Sequence, residues 1–362
     1  MAWRLFLHPR GPVSSGVGLH GQALSPAQMR TRRPVCSATV AASPTPYNDL
    51  VPLPSDEKLI ALSQDLIKAF ETLFGEHPGF RPAHAKGIML AGTFTPSPDA
   101  RSLTRAPHST RPSTPVSVRF SDSTGLPTIP DPDPNAGPRG CAIRFHLAEH
   151  VHTDIIAHST RGFPAHNGQE FLEFLRAIAA SGPGALSPTP AERFLGSHPA
   201  AMAFVLAPKP LPSSFARDTY FGINSMRFLN GEGTARFGRY LVIPEAGVEH
   251  LEEGATPGAD YLFEELSRRV SGGPIAFRIE VELAAPGDVV DDATVQWPED
   301  RPRAEFGRIE LTSVIPHNPD EQKQIIFDPI PRVDGIEPSA DPLLELRAAV
   351  YLLSGRRRRT AS

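Results

Sequence analysis

The chain predicts an α+β fold: an antiparallel β-barrel, wide enough to enclose a ligand and decorated by helices. Two observations lead there. Short apolar runs recur between links full of Pro, Gly, Asn and Asp, the spacing of a barrel or sandwich and not of a helical bundle. Pro and Gly number 40 and 29 in 362 residues, nearly a fifth of the chain, against an ordinary share of about 12%. A 40% apolar content supplies the core that such a fold needs.

Residues 1–50 are expected to be a disordered basic segment outside this fold, and 51–362 a single domain. The first 48 residues hold no Asp or Glu but carry Arg4, Arg10, Arg30, Arg32 and Arg33 among Ser, Ala, Gly and Pro. That composition suits an organellar (mitochondrial or plastid) transit peptide, and equally an untargeted tail on a protein expected to be cytoplasmic. Ser55 then caps a helix whose Leu59, Leu62, Leu66, Ile67, Phe70 and Phe74 recur at three-and-four spacing, and Gly75 ends it. Strands follow over 88–95, 115–121, 141–147 and 153–159, and helical patterns over 167–181 and 189–205. The second half brings strands near 236–244, 274–284 and 304–314, with a helix near 259–271. Asp341 and Pro342 read as the cap and first turn of a last helix that stops at Gly355.

A net charge of −4 and a pI near 6.4 argue against nucleic acid as a partner. No apolar run approaches the roughly 20 residues that span a bilayer, so no membrane span is expected. Cys36 and Cys141 are too few and too far apart for a disulfide framework. Cys141 reads as a small buried side chain, with ligation to haem as the minor alternative. His146, His150, His152 and His158 lack Cys partners and helical spacing, and His150 and His152 fall in an expected turn, so no non-haem metal site is assigned.

Two constellations carry chemistry. His84 stands just before the apolar run Ile88–Phe94, which fixes an imidazole near the core, where it can act as acid and base near neutral pH. Arg347 and Tyr351 lie one turn apart on the last helix, and a cation there favours a phenolate, a hard anionic ligand for ferric haem. Between them in the sequence, alternation along 117–121 puts Ser117, Arg119 and Ser121 on one face and Val118 and Phe120 on the other. An arginine facing inward there needs a partner.

The ordered motifs Arg-x-x-His-Ala-Lys-Gly (81–87), Val-Arg-Phe-Ser (118–121), Pro-Arg-Gly-x-Ala-x-Arg-Phe (138–145) and Arg-x-x-x-Tyr (347–351) resemble those of the haem catalase superfamily. The chain is short for that superfamily and is similar to its minimal branch, the catalase-related peroxidases. The likeness runs from about Asp56 to the C-terminus. It implies a catalase-like fold without the flavodoxin-like C-terminal domain, and a haem b whose ferric iron is ligated by Tyr351. By the same resemblance His84 is the distal histidine, Ser121 its hydrogen-bond partner, and Arg81, Arg119 and Arg358 meet the haem propionates. Arg347 tunes Tyr351, Phe163 walls the distal pocket and Phe171 packs on the porphyrin.

One departure bears on the chemistry. Catalases carry an asparagine at the distal position that His158 matches, so the amide that helps place hydrogen peroxide is missing. The resemblance therefore implies a peroxidase that reduces organic hydroperoxides at least as well as hydrogen peroxide, with a small organic electron donor. True catalase activity, a hydroperoxide isomerase and a non-catalytic haem carrier or sensor are the rivals. The donor, the physiological peroxide and the oligomeric state stay open, a homodimer included.

Overall fold

The computed structural model describes residues 54–361; the basic N-terminal segment and Cys36 lie outside the described residues. Helix α1 (Glu57–Phe74) leads into strand β1 (Gly87–Pro96), the short helices α2 (Ala100–Leu103) and α3 (Pro107–Thr110), and strands β2 (Thr114–Ser121), β3 (Gly140–Ala148) and β4 (Val151–His158). Helices α4 (Gly168–Ala179), α5 (Pro190–Ser197) and α6 (Pro199–Leu206) follow, then strands β5 (Tyr220–Phe221), β6 (Met226–Leu229) and β7 (Ala235–Pro244). The chain continues through α7 (Tyr261–Gly272), β8 (Ile275–Leu283), β9 (Arg303–Val314), α8 (Asn318–Gln324), β10 (Ile336–Pro338) and α9 (Pro342–Thr360).

Eight antiparallel strands close on themselves in the order β7-β5-β4-β3-β2-β1-β9-β8, with β8 returning to β7, while β6 and β10 extend from β7. The expected barrel with helices is therefore present. Its interior is not where a ligand fits. Rings from strands that are not neighbours meet in the middle: Phe94 and Phe145 at 5.0 Å, Phe120 and Phe277 at 5.7 Å, Tyr240 and Phe306 at 5.9 Å. A barrel of eight strands is just wide enough for its own side chains to fill, and these large aromatic residues fill it. This corrects the expectation that the barrel encloses the ligand.

The same strands build a cavity wall on their outer face. Ser121, Gly140 and His158 stand in one register row across β2, β3 and β4, and Arg119, Ala142 and Ile156 in the next. Because side chains alternate along a strand, these rows face away from Val118, Phe120, Ile143 and Ile155 in the core. Helices α1, α4 and α9 cover that wall through their own apolar cluster, which includes Leu66, Leu172, Leu343 and Leu346.

Boundaries differ from expectation in four places. Asp56, not Ser55, caps α1, accepting from the backbone of Lys58 and Leu59. The helix expected over 189–205 is two, because Pro199 cannot donate into the preceding turn. His152 lies in β4, not in the turn, while His150 holds the turn at φ 60°. Helix α9 runs through Gly355 to Thr360, since Gly355 packs against Ile326 where any Cβ would collide.

Candidate active site

A cavity of about 230 Å³ opens between the β2–β3–β4 wall and helices α1, α4 and α9. Every residue given a site role from the sequence lines it: Arg81, His84, Arg119, Ser121, His158, Phe163, Phe171, Arg347, Tyr351 and Arg358.

His84 sits in the turn before β1 with φ 57°, a left-handed conformation that a non-glycine residue adopts only when its surroundings enforce it. Its backbone N–H donates to the Ser123 carbonyl (3.0 Å), and its Nδ1 meets Ser121 Oγ at 3.1 Å. Gly140 keeps that pair together: a Cβ there would stand 2.6 Å from Ser121 Oγ and 2.9 Å from His84 Nδ1. Burial first, and then the Arg119 cation, pull the imidazole pKa down to about 4. His84 is consequently neutral at physiological pH. Its Nε2 has no hydrogen-bond partner among the described residues.

His158 ends β4 on the same cavity. Its Nδ1 accepts from the Thr160 backbone N–H at 3.3 Å, which places the ring proton on Nε2. Burial, then Arg347 and His84, lower its pKa to about 3. A neutral imidazole in this tautomer donates from Nε2 and has no free lone pair there.

Three arginines form one edge of the cavity. Arg119, 3% exposed, donates from Nε to Gln322 Oε1 (2.8 Å) and from Nη2 to the carbonyls of His84 (2.8 Å) and Ala85 (3.2 Å). Arg81 donates to the carbonyls of Gln322 and Ile325, both at 3.1 Å. Arg358, 4% exposed, donates to the carbonyls of Lys323 (3.0 Å) and Ile325 (2.6 Å). Their pKa values all fall, from burial first and then from mutual repulsion, that of Arg119 to about 9. No carboxylate pairs with any of the three among the described residues, so the edge holds buried positive charge in need of an anion.

Tyr351 enters from α9. Arg347 Nη2 donates to its hydroxyl oxygen at 3.2 Å, and Arg347 Nη1 donates to Asn224 Oδ1. Asn224 Nδ2 donates in turn to Asp341 Oδ2 (2.8 Å), whose other oxygen caps α9 through Leu343 N–H (2.9 Å). The helix cap and the tyrosine are thus ends of one hydrogen-bond chain. Phe171 packs at 4.8 Å on Phe163 and at 5.9 Å on Phe70, giving the cavity an aromatic side. Cys141 is 2% exposed, and burial raises its thiol pKa, so it stays a small neutral side chain.

Sequence reasoning missed the supports. Gln322 and the carbonyls of 322–325 come from α8 and the segment after it, and Arg144 fixes that segment. Arg144 is paired with Asp154 (2.9 and 2.7 Å) and donates to the Ile326 carbonyl, while Asp154 accepts from Asp328 N–H at 2.8 Å. Asn224 carries no pattern that would mark it. Pro319 followed by Asp320 and Glu321 is a helix-start signature and could have revealed α8.

A filled eight-stranded barrel whose outer wall, under three helices, places a neutral histidine, an arginine edge and an arginine-bound tyrosine on one cavity defines the class. The family model described as Catalase matches residues 64–362, and the chain belongs to the catalase family. Membership implies a haem cofactor. Among named relatives, the chain is 33% identical to the catalase-related peroxidase of Mycolicibacterium paratuberculosis, over 80% of this chain and 92% of that protein. It is 32% identical to the catalase-related peroxidase of Synechococcus elongatus, over 80% of this chain and 86% of that one. Against Catalase-1 of Arabidopsis thaliana identity is 28%, and the match spans only 60% of the longer plant protein. The solved structure of a bacterial catalase superposes with a TM-score of 0.67 at 23% identity, covering 89% of this chain and 64% of the other. That of catalase A from Saccharomyces cerevisiae gives 0.67 at 21%, covering 78% and 62%, and shares the fold.

Proposed function

We propose that the chain is a haem b peroxidase that reduces organic hydroperoxides with a small organic electron donor. The observation that carries this reading is the pairing, on one cavity, of a neutral His84 with a free Nε2 and an Arg347-bound Tyr351. The residues fit the cofactor. The two carboxylates of haem suit three buried guanidinium groups that have only neutral oxygens as partners. The aromatic side formed by Phe163 and Phe171 suits a flat macrocycle. Tyr351 would hold the iron through a phenolate oxygen, and the bound haem would supply the redox chemistry that breaks the O–O bond.

The protein's own groups manage the proton. In the tautomer whose Nδ1–H donates to Ser121 Oγ, His84 Nε2 is the base that takes the proton from a hydroperoxide and returns it to the departing oxygen. Its depressed pKa keeps that base unprotonated across the physiological range. His158, fixed as an Nε2–H donor, offers one hydrogen bond to the peroxide from a ring that is bulkier than an amide. The absent amide favours alkyl hydroperoxides over dismutation of hydrogen peroxide.

The test is stopped-flow and steady-state assay of protein loaded with haem b, using cumene hydroperoxide and a chromogenic donor. Two donor equivalents oxidised per hydroperoxide, with little oxygen released from hydrogen peroxide alone, is the expected result. Rapid oxygen release would make it a true catalase, hydroperoxide loss without any donor an isomerase, and neither reaction a haem carrier.

A further inference from the structure

A second cavity, of about 210 Å³, backs directly onto the arginine edge and shares Arg81, Pro82, Ser354 and Arg358 with the central one. The turn after α1 contributes His77 and Phe80 to its lining, and α9 contributes Arg357. We propose that this cavity binds a small neutral phenol as the reductant, with His77 receiving the phenol's proton; the assignment rests on the peroxidase reading above.

Three features select that ligand. Phe80 is 49% exposed, a large aromatic ring on the rim with no core to join, and it offers a stacking face to another ring. His77 Nε2 lies 2.9 Å from the Phe74 carbonyl, so it carries the ring proton and donates it there. That leaves a lone pair on Nδ1, which has no partner among the described residues. The charges around the cavity are already committed. Arg357 pairs with Glu71 (3.4 Å), and Lys68 pairs with Glu71 (3.9 Å) and Glu76 (3.2 Å). Arg81 and Arg358 hold the edge assigned to the haem carboxylates. With each of these charges among the described residues already partnered or assigned, an ionic donor gains little and a neutral one that can give a hydrogen bond gains most.

The chemistry balances. Two phenols and one hydroperoxide give two phenoxyl radicals, one alcohol and one water. Each phenol loses an electron toward the central cavity, across the single layer of side chains formed by Arg81 and Arg358. Each also loses its hydroxyl proton to His77 Nδ1, from which it passes to solvent at the open rim. Donor and peroxide are thereby kept in separate cavities, so reductant does not block His84.

The experiment uses haem-loaded protein and 4-fluorophenol, with binding read by equilibrium dialysis and by fluorine line broadening, and turnover read with cumene hydroperoxide. Ferrocyanide serves as the control donor because it loses an electron and no proton. Saturable binding is expected, weakened about tenfold by Phe80→Ala and by His77→Ala, the loss of roughly one stacking or hydrogen-bonding contact. His77→Ala should lower phenol oxidation about tenfold while leaving ferrocyanide oxidation unchanged. Phenol binding and oxidation that both variants leave intact, with ferrocyanide still oxidised, would overturn the site and spare the peroxidase reading. Wild-type protein that oxidises neither donor would overturn the peroxidase reading, and with it the phenol's role as reductant.

Discussion

The two faces of strand β2 do opposite work. Val116, Val118 and Phe120 point into a closely packed barrel in which even an imidazole, His108, is packed among Phe94, Phe145 and Phe306 and pushed by burial to a pKa of about 3. Arg119 and Ser121, alternating with them, point out to a cavity lined with titratable groups. Both faces are buried, but the inner one packs apolar rings around a neutral His108 whose Nδ1 has no partner, while the outer one turns imidazole Nε2 atoms and, among the described residues, arginines without carboxylates toward a cavity. Stability and chemistry are separated by the thickness of one strand, and substitutions on the two faces should separate them too.

The largest expected effect falls on the outer face. His84→Ala should lower hydroperoxide cleavage by about 10²–10⁴-fold with thermal stability nearly unchanged and haem still bound; a variant that turns over normally would remove His84 from the mechanism. Phe120→Ala should do the reverse, costing about 3–5 kcal/mol in denaturant unfolding by opening a cavity inside the barrel, with the activity per folded molecule preserved. Acid should strike both faces. His84, His108 and His158 have folded pKa values of about 4, 3 and 3, below the unfolded value of about 6.5. As pH falls below about 6.5 the unfolded chain binds protons first, so stability declines down to about pH 3, and kcat/KM falls with a single-proton slope near pH 4. A stability plateau from neutrality to pH 3 would contradict this. The smallest effect is expected for Ser121→Ala, about fivefold in kcat/KM for the loss of one hydrogen bond to His84.

What could be read from the sequence follows the same division. Alternation at 117–121 gave the two faces directly, and the spacing of Arg347 and Tyr351 gave their contact, because both depend on local periods that survive folding. Seven of the eight barrel strands emerged within a residue or two for the same reason, while the two-residue β5 (Tyr220–Phe221) was not foreseen, being too short to show a period. The content of the barrel did not emerge, because whether Phe94, Phe120 and Phe306 line a hollow or fill it depends on strands distant in the chain meeting across it, as Phe120 meets Phe277 and Tyr240 meets Phe306. The supports of the site were hidden for a related reason. Gln322 sits on a short helix with no buried residues and hence no apolar period, and Asn224 reaches Arg347 from a loop across 123 positions. Gly140 could be seen only as part of a motif; its role as the space that His84 and Ser121 share required coordinates.

The account stands or falls on Tyr351 and the arginine edge holding haem beneath His84. The most direct measurement is a haem b titration of the purified protein followed by its absorption spectrum, wild type beside Tyr351→Phe. One haem bound per chain with a ferric tyrosinate spectrum, lost in the Tyr351→Phe variant while the fold persists, is the predicted result. A folded wild-type protein that binds no haem, or a spectrum that Tyr351→Phe leaves unaltered, would contradict it.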